Sequence, residues 1–277
     1  MKHRFHQLDV FTAQALRGNP LAVVHGAQGL SDARMAAFAR WTNLSETTFL
    51  LPPTQPTADY RVRIFTPARE LPFAGHPTLG SCQAWLLAGG VPRQGDEVVQ
   101  ECGVGLVRVR RDGTRLAFAA PPSQRSEVEP RVLALVLKAL GLSASSVRAA
   151  QWLDNGPRWL GLLLADAHTV LAVQPDAAAL KGLATVGLVA PQAAGADSDF
   201  EVRAFVGDLG VYEDPVTGSL NAGLAQWLIA DGLAPARYVA AQGTAMQRAG
   251  RVHITSQGSE VWVGGEVQTC IEGTVDL

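Results

Sequence analysis

The chain has 277 residues, of which 47% are apolar and 17% are charged, and this composition excludes an intrinsically disordered protein. Its 23 Lys and Arg residues nearly balance its 25 Asp and Glu residues, and a net charge of −2 argues against nucleic-acid binding, which relies on clustered positive charge. No apolar stretch approaches the ~20 residues needed to cross a bilayer. The basic start of the chain runs into polar residues, unlike a signal peptide. We expect a soluble cytoplasmic protein without nucleic-acid or membrane partners.

The amino-terminal part of the chain alternates between strand-like and helix-like segments. Residues 59–65 alternate polar and apolar side chains, which is typical of a half-buried strand. One helix is expected after Ser31, which can cap it, and another from Pro77 to the Gly89-Gly90 stop. Further strands are predicted at 5–11, 21–24, 44–51, 105–110 and 115–119, with a turn at 17–20. The segment 121–126 is the best linker, and Pro130 opens a helix.

The carboxy-terminal part repeats this theme. A strand is predicted at 200–205, a helix at 217–230, and strands at 252–254, 261–263 and 267–275. Trp85 and Trp227 close two similar strand-loop-helix units and lie 142 residues apart, while Phe65 and Phe205 lie 140 apart. Both spacings are near half the chain, which favours an internal duplication, although short apolar strings also match by chance. We predict two halves, 1–122 and 123–277, with the last strand free to pack back on the first half.

A duplicated unit of this kind predicts a ligand cleft between the halves, because ligand sites favour domain interfaces. Each helix start offers unpaired backbone N–H groups and the positive end of the helix dipole. Two converging helix starts could hold a carboxylate or an enolate-like oxyanion without any arginine.

Three clusters contain residues that could carry chemistry. Glu46 follows Asn43-Leu44-Ser45 among apolar neighbours, and burial there would make it an acid and base near neutral pH; the alternative is a solvated loop glutamate. His76 follows Gly75 at a helix start, where the dipole favours neutral imidazole; the alternative is a histidine that caps the turn.

Asp214 precedes a Thr-Gly-Ser run that ends in Gly218-Ser219 and has the position of a helix N-cap. Capping alone is therefore the alternative to a functional role. Together the three clusters suit abstraction of a proton next to a carboxylate and its return elsewhere. No metal site is expected, because His3 and His6 would point to opposite faces of a strand. The sequence also lacks GxxxxGK[ST], HExxH, GxSxG and GxGxxG motifs.

Five ordered motifs resemble those of the PhzF family, which comprises the phenazine-biosynthesis isomerase and its relatives. They are Leu8-Asp9-Val10-Phe11-Thr12, Gly18-Asn19-Pro20-Leu21-Ala22-Val23-Val24, Asn43-Leu44-Ser45-Glu46-Thr47, Phe73-Ala74-Gly75-His76-Pro77-Thr78 and Glu213-Asp214-Pro215-Val216-Thr217-Gly218-Ser219. The resemblance implies an α+β, diaminopimelate epimerase-like fold. In that fold two pseudo-symmetric halves each wrap a mostly antiparallel, mixed, barrel-like sheet around a central helix. It also implies a homodimer without a cofactor.

The same resemblance implies roles for individual residues. Glu46 matches the catalytic glutamate that shuttles a proton, and His76 and Asp214 match the other polar active-site residues. Substrate-binding positions correspond to Ser45, Gly75, Gly218 and Ser219. The wider superfamily racemises its substrates with a pair of cysteines, at places that correspond here to Gly75 and Asp214.

The three cysteines, Cys82, Cys102 and Cys270, lie outside those loops, so a two-cysteine mechanism is not expected. Their odd number also excludes a disulfide framework or a four-cysteine zinc site within one chain. The sequence thus predicts an isomerase acting on a small carboxylate-bearing molecule. The alternatives are a catalytically silent small-acid-binding protein on the same scaffold and, more distantly, a cysteine hydrolase.

Overall fold

Two central helices organise the fold, and strands surround each of them. The computed structural model describes residues 1–206 and 212–277. The helices of these residues are α1 (Asp32–Thr42), α2 (Gly75–Leu87), α3 (Pro130–Leu140), α4 (Ala167–Ala172), α5 (Ala177–Leu180) and α6 (Gly218–Ala230). The strands are β1 (Lys2–Val10), β2 (Asn19–Val24), β3 (Glu46–Leu51), β4 (Tyr60–Phe65), β5 (Glu70–Leu71), β6 (Glu97–Cys102), β7 (Gly105–Asp112), β8 (Arg115–Ala119), β9 (Gln124–Ser126), β10 (Val147–Asp154), β11 (Arg158–Leu164), β12 (Val186–Pro191), β13 (Phe200–Phe205), β14 (Glu213–Asp214), β15 (Arg237–Gln242), β16 (Gly250–Gln257), β17 (Glu260–Gly265) and β18 (Val267–Asp276).

The same order of strand pairings occurs twice along the chain. In the first half β1 pairs antiparallel with β2, β2 parallel with β3, β3 antiparallel with β4, and β4 both antiparallel with β5 and parallel with β6. In the second half β10, β11, β12, β13, β14 and β15 repeat these pairings in the same directions. Each half ends in an antiparallel meander, β6–β7–β8 and β15–β16–β17. The predicted pseudo-symmetric α+β fold is confirmed.

Two pairings join the halves beyond the repeated order. β17 lies antiparallel to β8, and the carboxy-terminal strand β18 lies antiparallel to β1 along nearly its whole length. The predicted linker at 121–126 is partly wrong, because β9 pairs with β10 and so belongs to the sheet of the second half. The strands β10, β11 and β12 form a region that the sequence predicts only in part.

The central helices α2 and α6 are apolar on nearly all sides, as expected of helices surrounded by protein. Leu79, Leu224 and Trp227 are among their almost fully buried side chains. Helix α2 packs against β1, β2, β3, β4, β6, β7, β8 and β18, while α6 packs against β10, β11, β16 and β17. One hydrophobic core runs through both halves. None of the helices in the described residues is long and apolar enough to span a membrane.

Candidate active site

The amino-terminal ends of α2 and α6 touch each other at a pair of glycines. A Cβ atom built on Gly75 would lie 2.5 Å from the Cα of Gly218, and one built on Gly218 would lie 2.6 Å from the Cα of Gly75. Only glycine permits this approach. The N-cap residues Ala74 and Thr217 make no side-chain capping bond within the described part of the chain. The first-turn amides and both helix dipoles therefore face the junction between the halves.

Glu46 begins β3 beside this junction and is buried, with 8% of its surface exposed. It is therefore not a solvated loop residue. Burial raises the pKa of the Glu46 carboxyl well above its usual range, and the negative charge of Asp214 raises it further. A carboxyl in this state can hold a proton near neutral pH and release it to a substrate.

Asp214 does not cap α6, and the prediction that it is an N-cap is wrong. It pairs with Ala204 in β14, and Thr217 occupies the N-cap position instead. The Asp214 carboxylate accepts hydrogen bonds from Thr217 Oγ1 at 2.6 Å and Asn19 Nδ2 at 2.8 Å. Burial raises the pKa of Asp214, although hydrogen bonds from Thr217, Asn19 and Ser45 oppose this rise.

His76 is the second residue of α2 and lies between Glu46 and Asn19, which in turn donates to Asp214. Its Nε2 lies 3.3 Å from Glu46 Oε2, and its Nδ1 lies 3.2 Å from Asn19 Nδ2. Burial lowers the pKa of His76 to about 3, so the imidazole is neutral at physiological pH. Since Ala74 is the N-cap of α2, His76 is not the capping residue.

A cleft of about 350 Å³ opens over the helix junction. Four of the predicted site residues line it, namely Ser45, Glu46, Asp214 and Ser219. The other three, His76, Gly75 and Gly218, lie next to it: His76 contacts Glu46, and the two glycines follow the lining residues Ala74 and Thr217. Every predicted site residue is thus at or beside one cleft between the halves.

Several residues in or beside the cleft were not found by sequence reasoning. The indole Nε1 of Trp159 donates a hydrogen bond to Ser219 Oγ at 3.2 Å, and Gln242 Oε1 accepts one from the Thr217 backbone amide at 3.0 Å. The cleft lining also includes Arg69 and Arg158, one from each half. The expectation that the site would need no arginine therefore does not describe its walls.

A signal in the sequence could have located part of this network. Glu70-Leu71-Pro72-Phe73-Ala74-Gly75 and Glu213-Asp214-Pro215-Val216-Thr217-Gly218 share Glu, Pro and Gly at the same spacing. Aligning them places Thr217 opposite Ala74, directly before each central helix. No comparable local pattern marks Trp159, because its hydrogen-bond partner Ser219 lies 60 residues further along the chain.

The side chains that line the cleft include groups that can carry a proton. Among the described residues, no group of three or more His, Cys, Asp or Glu side chains is placed to hold a metal ion. Cys82 is buried within α2, and Cys102 and Cys270 lie on strands. The groups that face the cleft include three carboxyls, two guanidinium groups, hydroxyls and helix amides.

Comparisons with known proteins agree with these observations. The family model described as phenazine biosynthesis-like protein, PhzC-PhzF, matches residues 8–273. The sequence is 37% identical to antisense-enhancing sequence 1 of Schizosaccharomyces pombe over 98% of both chains. It is 34% identical to trans-2,3-dihydro-3-hydroxyanthranilate isomerase of Pseudomonas aeruginosa, over 99% of this chain and 100% of that protein. A crystal structure of a Bacillus anthracis phenazine biosynthesis protein of the PhzF family is similar with a TM-score of 0.84, covering 100% of each chain at 20% identity.

Proposed function

Because this chain belongs to the PhzC-PhzF family of phenazine biosynthesis-like proteins, we propose that it is a cofactor-independent isomerase. It moves a proton between two carbons of a small carboxylate-bearing substrate by general acid–base catalysis. The observation that carries this proposal is the buried Glu46 carboxyl, whose pKa is raised, at the wall of the cleft over two helix starts. The dihydrohydroxyanthranilate in the name of the Pseudomonas relative is one acid of this class.

In the proposed reaction the ionised Glu46 carboxylate removes a proton from a carbon of the substrate. The carbon–hydrogen bond breaks, an oxygen–hydrogen bond forms on Glu46, and the electron pair spreads into the adjoining double bond and carboxylate. Glu46 then returns the proton to a second carbon on the same face, which shifts the double bond. Such acid–base assistance contributes roughly 10²–10⁴ in rate.

The helix starts stabilise the negative charge that develops on the substrate. Amides of the first turns after Ala74 and Thr217 can donate to an oxyanion, and the hydroxyls of Ser45 and Ser219 lie in the same wall. Removing one such donor from an enzyme typically costs about 2.7–4 kcal/mol of transition-state stabilisation. Glu46 and the helix amides therefore contribute to a similar degree.

The remaining family expectations are part of the same proposal. They are a homodimer in the cytoplasm and a division of the chain near residue 122. Sedimentation at micromolar concentration tests the dimer, and limited proteolysis tests the division.

Incubation with candidate amino and hydroxy acids in D₂O tests the proposed reaction. We expect deuterium to enter a carbon position of the substrate, detected by mass spectrometry, and Glu46→Gln to abolish that exchange. Glu201→Gln is the matched control, because Glu201 is also a buried glutamate with a pKa raised by burial but lies outside the cleft lining. Exchange that survives Glu46→Gln would exclude Glu46 as the proton carrier. Ligand-induced thermal stabilisation without exchange would indicate the silent acid-binding protein instead.

A further inference from the structure

The side chain of Asn19 joins the two halves at the centre of the site. Asn19 is the first residue of β2 and is completely buried. Its Nδ2 donates to Asp214 Oδ1 at 2.8 Å and to the Val216 carbonyl at 2.9 Å, both in the second half. The same nitrogen lies 3.2 Å from His76 Nδ1 in the first half.

These neighbours fix the orientation of the Asn19 amide. A carbonyl oxygen accepts hydrogen bonds but cannot donate them, and the same is true of an ionised carboxylate. If the amide were reversed, its oxygen would face the Val216 carbonyl and the Asp214 carboxylate without a hydrogen between them. The NH₂ group must therefore face all three neighbours and share its two hydrogens among them. Because an amide nitrogen accepts no hydrogen bond, His76 Nδ1 can only be an acceptor in this contact.

The orientation of Asn19 in turn decides where the neutral imidazole of His76 carries its hydrogen. A ring nitrogen next to an N–H donor must present its lone pair, and in neutral imidazole the hydrogen then lies on the other nitrogen. That other nitrogen, Nε2, is 3.3 Å from Glu46 Oε2. Both atoms are buried, and neither has a hydrogen-bond partner among the described residues, so each is the nearest polar group recorded for the other.

We infer that Asn19 is a positioning residue that holds His76 in its Nε2–H tautomer, so that His76 donates its hydrogen towards Glu46 and cannot accept the proton from it. Asp214 acts on the same tautomer, because its carboxylate orients the Asn19 amide. The second half thereby sets the hydrogen-bonding direction of a side chain in the first. The kinetic consequence rests on the proposed function, since it leaves Glu46 as the carrier of the proton.

The tautomer can be measured without a substrate. In the full-length protein labelled with ¹⁵N-histidine, we expect at pH 7 the NMR shift of an unprotonated nitrogen for Nδ1 of His76 and of a protonated one for Nε2. Asn19→Leu removes the donor and is expected to lower the ratio of the two tautomers about tenfold. Asn19→Asp offers an acceptor instead and should invert the pattern, with the hydrogen on Nδ1.

Asn155→Leu is the matched control. Asn155 is a buried amide of the second half that donates to the Ser219 carbonyl at 2.8 Å, so its loss should leave the His76 shifts unchanged. A hydrogen on Nδ1 in the unmodified protein, or an unaltered tautomer ratio in Asn19→Leu, would overturn the inference. The leucine variant decides the matter if Asn19→Asp fails to fold. If the unmodified protein shows the expected NMR shifts of His76 but catalyses no D₂O exchange, only the proposed function is contradicted.

Discussion

The two halves share one strand register but carry different chemistry at equivalent positions. Phe65 lies opposite Glu70, and Phe205 lies opposite Glu213, so the two short strands β5 and β14 correspond. The next residue is Leu71 in the first half and Asp214 in the second. An apolar side chain thus stands where its counterpart is a carboxylate.

The opposite exchange occurs on the neighbouring strands. Thr47 lies opposite Phe65 in the first half, and Val186 lies opposite Phe205 in the second. The preceding residues are Glu46 and Thr185, and both line the cleft. Each half therefore supplies one buried carboxyl to the cleft, Glu46 or Asp214, but from a different strand. The repeated fold forms the cleft, whereas the residues that differ between the halves place its two buried carboxyls.

An ion pair shows the same contrast at a position that both halves have kept. Arg63 binds both carboxylate oxygens of Glu70, and Arg203 binds both oxygens of Glu213. The exposed side-chain fractions are 18% and 41% in the first pair but 6% and 11% in the second. Arg203 also donates to the Val173 carbonyl at 2.7 Å. The stability of the second half thus depends more on its ion pair than that of the first half does.

Breaking each pair would measure that difference. We expect Arg203→Met to lower the free energy of unfolding by about 3–5 kcal/mol, because it leaves a buried carboxylate without its partner. The matched variant Arg63→Met should cost only about 0.2–1 kcal/mol, since water reaches that pair. Urea denaturation gives both values. Equal losses would show that the two ion pairs are energetically equivalent.

The glycine junction is the place where the halves must stay alike. Gly218→Ala should destabilise the protein by about 1–3 kcal/mol, because the new methyl group meets the Gly75 backbone. Gly223→Ala in the same helix is the control. Its Cβ would lie 3.2 Å from Leu153 Cβ, and better helix propensity by up to about 1 kcal/mol offsets this contact. An equal change in melting temperature for both variants would contradict the close approach of the helices.

The raised pKa of Glu46 predicts a pH-dependent cost of folding. An acid whose pKa is higher in the folded state binds more protons there, so stability falls as pH rises above the unfolded value of about 4.3. If the pKa of a carboxyl is higher by 1 in the folded state than in the unfolded state, the free energy of unfolding falls by about 1.4 kcal/mol once the pH exceeds both values. Glu46→Gln should therefore be more stable than the unmodified protein at pH 8, and this advantage should vanish below pH 4.

Asp231 provides a control of opposite sign for this experiment. Its hydrogen bonds and ion pair with Arg125 lower the pKa of the Asp231 carboxyl. Asp231→Asn should therefore be less stable than the unmodified protein at neutral pH and equally stable in acid. Urea midpoints at pH 4, 6 and 8 separate the two cases, and a Glu46→Gln advantage independent of pH would exclude titration as its cause.

The smallest effect is expected from the two arginines at the cleft. Arg69→Met and Arg158→Met should each weaken, by a few-fold, the binding of the acid that incorporates deuterium in the D₂O experiment. This matches the contribution of about 0.2–1 kcal/mol that is typical of exposed charge pairs. Arg237→Met, outside the cleft lining, should have no effect. Isothermal titration measures the three affinities. If one arginine accounts for the whole loss, the halves share acid binding unequally.

Much of the fold was predictable because its signals are local. The alternation in 200–205 is the strand β13 with the same bounds, and Ser31 caps α1 by accepting from the Arg34 amide. The region of β10, β11 and β12 was less predictable, since its apolar runs do not distinguish a buried strand from a buried helix. The misplaced cap at Asp214 has a similar origin, because pairing with Ala204 overrides the local preference.

The family, the duplicated architecture and the candidate residues Glu46, His76 and Asp214 can be predicted from the sequence. These depend on motifs and periodicities among near neighbours in the chain. How these groups act on one another depends on the tertiary structure. The bond from Asn19 to Asp214 spans 195 residues, and burial shifts the pKa of Glu46 and His76 in opposite directions. Such effects arise from groups that are close in space but distant in sequence, in a region from which water is excluded.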